Sequence, residues 1–299
     1  MKILITGGSG LVGTALTEKL IEKGYKVNWI SRSNKSRKDV DVYQWDLKKA
    51  YIDKEAFKGV DAIVHLSGAN ISANRWSETY KKLIADSRIE TSQLLFDSVT
   101  KYNIPLKTFI SASAIGYYGT FTSDKVLTED SPPGNDFLAK VCIEWEKKAK
   151  QFQTIGARTA TIRTGVVLSN KGGALPQITK PIKWGVGANL GNGQQYMPWI
   201  HIDDLVNIYL KCIENSSMHG TYNATSPDSI TNKKITKQLA KYLNRPLWLP
   251  NIPKSILKLI LGERANLLLE GTRIFPKRLL NQKFSFKYSS FAEAIVSLF

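Results

Sequence analysis

Cysteine is scarce in this chain: its 299 residues include only two, Cys142 and Cys212. Two thiols cannot build the disulfide framework of a small secreted domain, nor a cysteine-rich metal site. Histidine is nearly as sparse. His65, His201 and His219 stand far apart without the spacing of zinc ligands, so no metal is expected. No apolar run approaches the ~20 residues of a membrane-spanning helix. Gly7 interrupts the N-terminal apolar stretch too early for a secretory signal. These absences lead to the expectation of a cytoplasmic protein with no membrane partner. Acidic residues are also few: 25 Asp and Glu against 42 Lys and Arg leave a net charge of +17. Such a charge fits nucleic-acid or membrane-surface binding, or lysine-rich solvated faces that attract anionic ligands. The lysines are scattered, with short clusters such as Lys35-Ser36-Arg37-Lys38 and Lys147-Lys148, and no basic arm accompanies them. Solvation and anionic ligands therefore weigh more than nucleic acid. The expected partner is a small-molecule substrate or none, and the oligomeric state stays open.

What the chain does have begins at its second residue. Lys2 to Thr6 reads as a short strand and runs into Gly7, Gly10 and Gly13. An amphipathic helix follows, with Leu11, Val12, Ala15, Leu16, Leu20 and Ile21 on one face and Gly24 past its end. Strand, glycine turn and helix in that order make a phosphate-binding site. Gly7 permits the tight turn, Gly10 admits a pyrophosphate to the backbone, and Gly13 lets helix and strand pack closely. The helix N-terminus offers N–H groups and partial positive charge to the anion.

Strand and helix signals then alternate. Val27 to Ser31, Asp61 to Leu66, Thr108 to Ala112 and Ala160 to Arg163 read as strands. Helical patterns fill about 77–102 and 136–152. This alternation predicts an α/β fold: a doubly wound parallel (Rossmann) sheet with a smaller C-terminal α/β lobe. The core is expected over residues 1–170, with a return at about 198–226. The remainder, 171–299, is read as a substrate-side loop and C-terminal lobe. Residues 171–199 read as one long irregular segment rich in glycine, amide and aromatic side chains. Asp203 is expected to cap the helix after it.

The dinucleotide is expected to be NADP(H). NAD enzymes place Asp or Glu about 20 residues after the glycines. Here the second strand ends in Ser31-Arg32-Ser33, with Lys35 and Arg37 close by. A guanidinium can grip a 2′-phosphate through several N–H donors, Ser31 can add another, and an acid would repel it. Asp46, after a third short strand, reads either as an adenine-edge residue or as a turn residue.

With these segments placed, the chain resembles the extended short-chain dehydrogenase/reductases. More narrowly, it is similar to the sugar-nucleotide epimerase-like family whose members carry a C-terminal segment of unknown function. The residues that carry the resemblance are 6–13, Ser31-Arg32, His65 to Ile71, Ser87 to Thr91, Gly116-Tyr117-Tyr118-Gly119, Arg163 to Leu168, 198–204 and Pro276-Lys277-Arg278. The resemblance implies NADP binding through Thr6, Gly7, Ser9, Gly10, Leu11 and Val12, through Arg32, and through Leu66, Ser67 and Gly68. It also implies Arg88, which otherwise reads as a surface helix residue, and Val166.

In active members of the wider superfamily a Ser or Thr works with a later Tyr-x-x-x-Lys. The tyrosine is the general acid/base, and the lysine lowers its pKa and binds the nicotinamide ribose. Ser113 stands in the serine position. The later segment, 135–146, contains no tyrosine. Phe137 is near the expected place, and Lys140 is three residues on, not four, which turns it about 100° away on a helix. Aligned by Glu146, the Tyr and Lys positions hold Leu138 and Cys142. Three readings stay open. The chain is an enzyme with another acid/base, for which Tyr117 or its neighbour Tyr118 is the first candidate and Cys142 or Asp136 a further one. It binds NADP(H) without turnover, as a sensor or regulatory protein. Or its charge serves a polyanion partner. On the substrate side the candidates are Lys180, Lys183, Trp184, Gln194, Gln195 and Trp199, with Arg75-Trp76 facing them; His201 reads as a loop-orienting residue.

Overall fold

The computed structural model describes residues 1–33 and 37–299. Its elements, in chain order, begin with β1 (Lys2–Thr6), α1 (Leu11–Glu22), β2 (Lys26–Ser31), β3 (Val40–Asp46), β4 (Tyr51–Ile52), β5 (Ala62–His65), α2 (Glu78–Lys101) and β6 (Thr108–Ala114). They continue with β7 (Ser123–Leu127), α3 (Phe137–Lys150), β8 (Arg158–Thr164), β9 (Val166–Ser169), β10 (Gly172–Gly173) and α4 (Ala174–Lys183). Next come β11 (Trp199–His201), α5 (Ile202–Glu214), β12 (Gly220–Ala224), α6 (Asn232–Tyr242), α7 (Lys254–Leu261) and α8 (Asn266–Leu269). The chain closes with β13 (Thr272–Ile274), α9 (Lys277–Asn281) and α10 (Phe291–Leu298).

Eight strands form the main sheet in the order β12-β8-β6-β5-β1-β2-β3-β4. All pairs are parallel except the edge pair β3–β4. The order reverses between β1 and β5, so the sheet is doubly wound, and a crevice opens at the carboxyl ends of the strands there. The period-2 alternation of β1 shows how both faces are covered. Ile3 and Ile5 pack with Leu16 and Leu20 of α1 and Leu205 and Tyr209 of α5. Leu4 points the other way, into a core with Leu94 and Leu95 of α2 and Phe152. A third core joins α4, α6 and α10 around Trp199, Leu175, Leu239 and Phe291.

The local starts follow from the sequence. Ser77 accepts from Tyr80 N–H and opens α2; Asp136 accepts from Ala139 N–H and opens α3. Two expectations are corrected. Residues 171–199 are not irregular throughout, because α4 forms in their first half. Leu175, Thr179 and Ile182 fall on one buried face of it, a helical spacing hidden by two prolines and the preceding glycines. The cap of α5 is His201, not Asp203: the His201 side chain accepts from Asp203 N–H.

The C-terminal part folds back on the core. Strand β13 pairs in parallel with β7. Phe275 N–H donates to Leu127 O, and the buried Glu129 carboxylate accepts from Arg278 N–H and Asn223 N–H. No helix among the described residues is long and apolar enough to cross a membrane.

Candidate functional site

The glycine turn is built by contacts that a side chain would occupy. Gly7 has φ +71°, and a Cβ there would stand 2.9 Å from the carbonyl of Leu66. A Cβ on Gly13 would stand 2.3 Å from Gly7 O, so α1 can approach β1 only as glycine. The N-cap of α1 is Gly10, no side chain caps it, and no acid lies in the first turn. First-turn N–H groups therefore face the crevice mouth beside exposed Ser9, which fits an anion. Gly8 leaves room for Trp29, whose indole donates to Thr17.

At the end of β2 the residues with predicted 2′-phosphate roles separate. Arg32 is exposed and has no acidic partner among the described residues. Ser31 accepts from Ser33 N–H at 3.3 Å. Arg37 is already held, 3.3 Å from Glu18 and 5.1 Å above the Trp29 ring. Lys35 lies outside the described residues. Asp46 accepts from the N–H groups of Lys48 and Lys49, which is the work of a turn residue.

Thr6 is fully buried, so its side chain cannot touch a ligand in the crevice. Its hydroxyl instead accepts from Leu66 and Ser67 N–H and bonds His65 Nδ1 at 2.7 Å, which fixes the turn that carries Leu66, Ser67 and Gly68. Arg88 is half-buried and not free on the helix surface. It lies beneath that turn, donates to Ala69 O and Ile84 O, and sits 5.2 Å from the Trp145 ring. A Cβ on Gly68 would stand 2.9 Å from its guanidinium carbon. Burial lowers its pKa, and no carboxylate answers its charge among the described residues. Val166, half-buried, donates to Pro198 O at the start of β9.

The predicted catalytic serine belongs to a buried polar network. Ser113 Oγ donates to Glu146 at 2.8 Å. Arg163 holds the same carboxylate with Nε and Nη2, at 2.8 and 2.9 Å, and donates through Nη1 to the Tyr118 hydroxyl. That hydroxyl lies 2.7 Å from Asn223 Oδ1. Burial works against the Arg163 charge, but Glu146 outweighs it and keeps the guanidinium protonated. Burial also pushes the Tyr118 hydroxyl up to about 12, too high for proton exchange near neutrality. No local sequence pattern marks Glu146, Arg163, Tyr118 and Asn223 as a unit. The legible signal was Glu146, an acid in line with the apolar stripe Leu138, Cys142 and Trp145 of α3.

The helix face where a Tyr–Lys pair would stand is apolar. Leu138 and Cys142 are buried, and a Cβ on Gly116 would meet both. Burial raises the Cys142 thiol to about 12, which makes it a poor nucleophile or base. Lys140 points to solvent, and Phe137 packs against Trp76. Asp136 caps α3 and also holds Thr120. Tyr117 is the remaining proton-carrying candidate. It is half-buried, and the Arg163 guanidinium lies 3.3 Å from its ring centroid.

On the substrate side, Gln195 and Trp199 are buried. Gln195 donates to Leu190 O and Leu268 O, and Trp199 packs edge-on against Phe291. His201, kept neutral by burial, caps α5 and bonds Ser297. Lys180, Lys183, Trp184 and Gln194 are exposed. Arg75 donates to Leu259 O and Arg264 donates to Ser72 O, which ties the loop after β5 to the C-terminal lobe. Among the described residues there is no cluster of metal-ligating side chains.

Comparison with known proteins bears on this arrangement. Residues 3–225 match the NAD dependent epimerase/dehydratase family, and residues 252–298 match a domain of unknown function, DUF1731. The chain is 37% identical over 304 residues to the chloroplastic SDR39U1 homologue of Arabidopsis thaliana, spanning 99% of this chain and 86% of that protein. It is 33% identical to the epimerase family protein SDR39U1 of Homo sapiens, over 99% of this chain and 98% of that protein. A crystal structure of the human protein with NADPH superposes with a TM-score of 0.86 at 31% identity, covering 100% of this chain and 99% of that one.

Proposed function

The chain belongs to the NAD dependent epimerase/dehydratase family, and we propose that it is an NADP(H)-binding, epimerase- or reductase-like protein acting on a nucleotide sugar or related small molecule. One observation carries the cofactor reading: Arg32, exposed and without an acidic partner among the described residues, follows β2, and β2 pairs with the strand that leads into the N-terminus of α1. That arrangement suits a 2′-phosphate at one end and a pyrophosphate at the other. The cradle fits a dinucleotide because Gly7, Gly10 and Gly13 leave backbone where side chains would intrude. Ser9, Gly10, Leu11 and Val12 would hold the pyrophosphate, Ser31 and Arg32 the 2′-phosphate, and Leu66 to Gly68 with Arg88 and Val166 the remainder. The human relative crystallised with NADPH supports the same reading.

When bound, the nicotinamide supplies or accepts a hydride. The protein's own part is proton management, and it does not use the tyrosine–lysine pair. Tyr117 is assigned as the acid/base. Ser113, anchored by Glu146, acts as a hydrogen-bonding group with a fixed orientation. Fluorescence titration tests the cofactor reading. Arg32→Asp should weaken NADPH binding by at least ~10-fold, about the strength of a lost charge-assisted contact, and leave NADH binding nearly unchanged. Equal loss for both would sink the assignment. For the chemistry, hydride exchange at nicotinamide C4 would be followed with nucleotide sugars and simple carbonyls. Tyr117→Phe should lower that rate by about 100-fold or more. An unchanged rate would remove Tyr117 from the mechanism.

A second reading, a catalytically silent NADP(H) sensor, is favoured by one feature: the Ser113 hydroxyl is committed to Glu146 within a closed network. Tight NADPH binding without hydride exchange on any substrate of the panel would select it.

A further inference from the structure

We propose that the face of the C-terminal lobe carrying Trp184 and Trp248 docks this protein on the surface of an anionic lipid bilayer. The inference is independent of the cofactor reading and departs from the expectation of no membrane partner. It concerns lying on a bilayer, not crossing one.

The first observation is charge. No Asp or Glu occurs between Lys147 and Ile202, nor between Ser229 and Gly262. These stretches supply α4, α6 and α7, and the first also the end of α3, β8 and β9 of the core. Lys180, Lys183, Lys237, Lys241 and Arg245 are exposed there, and none forms an ion pair among the described residues. Elsewhere the surface lysines commonly do, as Lys19, Lys107 and Lys277 show. Part of the basic excess of the chain therefore lies on α4 and α6 and the turn after α6, without carboxylate partners among the described residues.

The second observation is apolar exposure in the same place. Trp184 is 70% and Trp248 68% exposed. They are adjacent, because the Trp248 indole donates to Gly185 O, one residue beyond Trp184. Val186 and Leu247 beside them are exposed too. Lysines interleave with these side chains: Lys180 Nζ lies 4.8 Å from the Trp184 ring, and Lys183 Nζ 5.1 Å from that of Phe299. Beyond the Leu190–Ile252 bridge, α7 exposes Leu259 and Ile260 as well, where it meets the loop after β5.

Lysine with tryptophan and aliphatic side chains is the chemistry of a bilayer interface. Ammonium groups meet anionic headgroups, their stems lie along the apolar boundary, and indoles sit at headgroup depth. A nucleic acid would use the lysines and could stack on the indoles, but it offers nothing to Val186 or Leu247.

The test is flotation of the full chain with phosphatidylcholine vesicles, with and without phosphatidylserine, across a salt series. Binding is expected only with phosphatidylserine and should weaken as salt rises. Brominated lipid should quench the emission of the intact protein more than that of Trp184→Ala/Trp248→Ala. That variant and Lys237→Glu/Lys241→Glu should each bind on the order of tenfold more weakly. Both pairs are exposed, and thermal melts would confirm that each variant is folded. Absence of binding to either vesicle overturns the proposal. So does binding that is indifferent to the two tryptophans, which would mean ionic adsorption alone. Tighter binding to duplex DNA than to the anionic vesicles would assign the face to nucleic acid instead.

Discussion

Burial decides the protonation of His65. Its ring is fully enclosed between Thr6 and Thr91, and desolvation pushes its pKa from 6.5 down to about 3. The folded state keeps the imidazole neutral, whereas the unfolded chain takes up a proton as pH falls below 6.5. Stability from this group is complete above that pH and is lost progressively toward pH 3. The loss should reach about 2 kcal/mol by about pH 5. Urea unfolding across this range should show it, and His65→Gln should flatten the dependence; an equal slope in the variant would refute the assignment. Glu146 illustrates a different balance. Its pairing with Arg163 is almost wholly enclosed, so the pair is held by mutual satisfaction and not by net gain. The pairing also anchors the Ser113 hydroxyl.

At the scale of the element, the β1–α1 unit is a device for close approach. Gly13 brings α1 so near to the turn that Gly7 O occupies the place of a Cβ. Gly13→Ala must shift the helix or the turn, at a cost of about 1–3 kcal/mol for an overpacked contact. The expected result is a lower melting temperature together with weaker NADPH binding, because the displaced N–H groups are those assigned to the pyrophosphate. Unchanged binding would mean that the turn does not serve the cofactor. Helix α3 shows how one element can keep its place while changing its chemistry. It packs beside β6 in the required position, but presents Leu138 and Cys142 to the strand end and turns Lys140 to solvent.

For the whole molecule, the last eight-residue helix joins two parts of the chain. Phe291, Ile295 and Leu298 of α10 are buried against Trp199, Leu239 and Leu175, and Asp204 accepts from Lys287 and Tyr288 N–H just before it. Burying three such side chains contributes roughly 6 kcal/mol, comparable with the whole stability of a typical domain. A chain ending at Ser290 should therefore melt far lower or fail to fold, by circular dichroism and by protease resistance. An unaltered melt would show that the lobe folds without α10. The doubly wound sheet was legible in advance because its signals are local: apolar runs, glycine turns and caps at Ser77 and Asp136. The candidate site was legible only in part. The glycines, Arg32 and the missing Tyr–Lys pair can be read from spacing. Pairing between Ser113, Glu146, Arg163 and Asn223 joins residues from three strands and a helix, and no local pattern records it.

By itself the sequence determined the fold class, the place of the phosphate-binding turn, the basic end of β2 and the absence of a tyrosine–lysine pair. Each depends on residues near one another in the chain. Only the tertiary structure decided that Thr6 and His65 shape the crevice from beneath and that Arg88, half-buried, supports the turn carrying Leu66 to Gly68. It alone showed that Ser113 is bound to a buried ion pair, and that Lys180 stands against the exposed Trp184 with Trp248 beside it. Those outcomes turn on burial and on partners brought from distant segments, and burial is a property of the packed molecule.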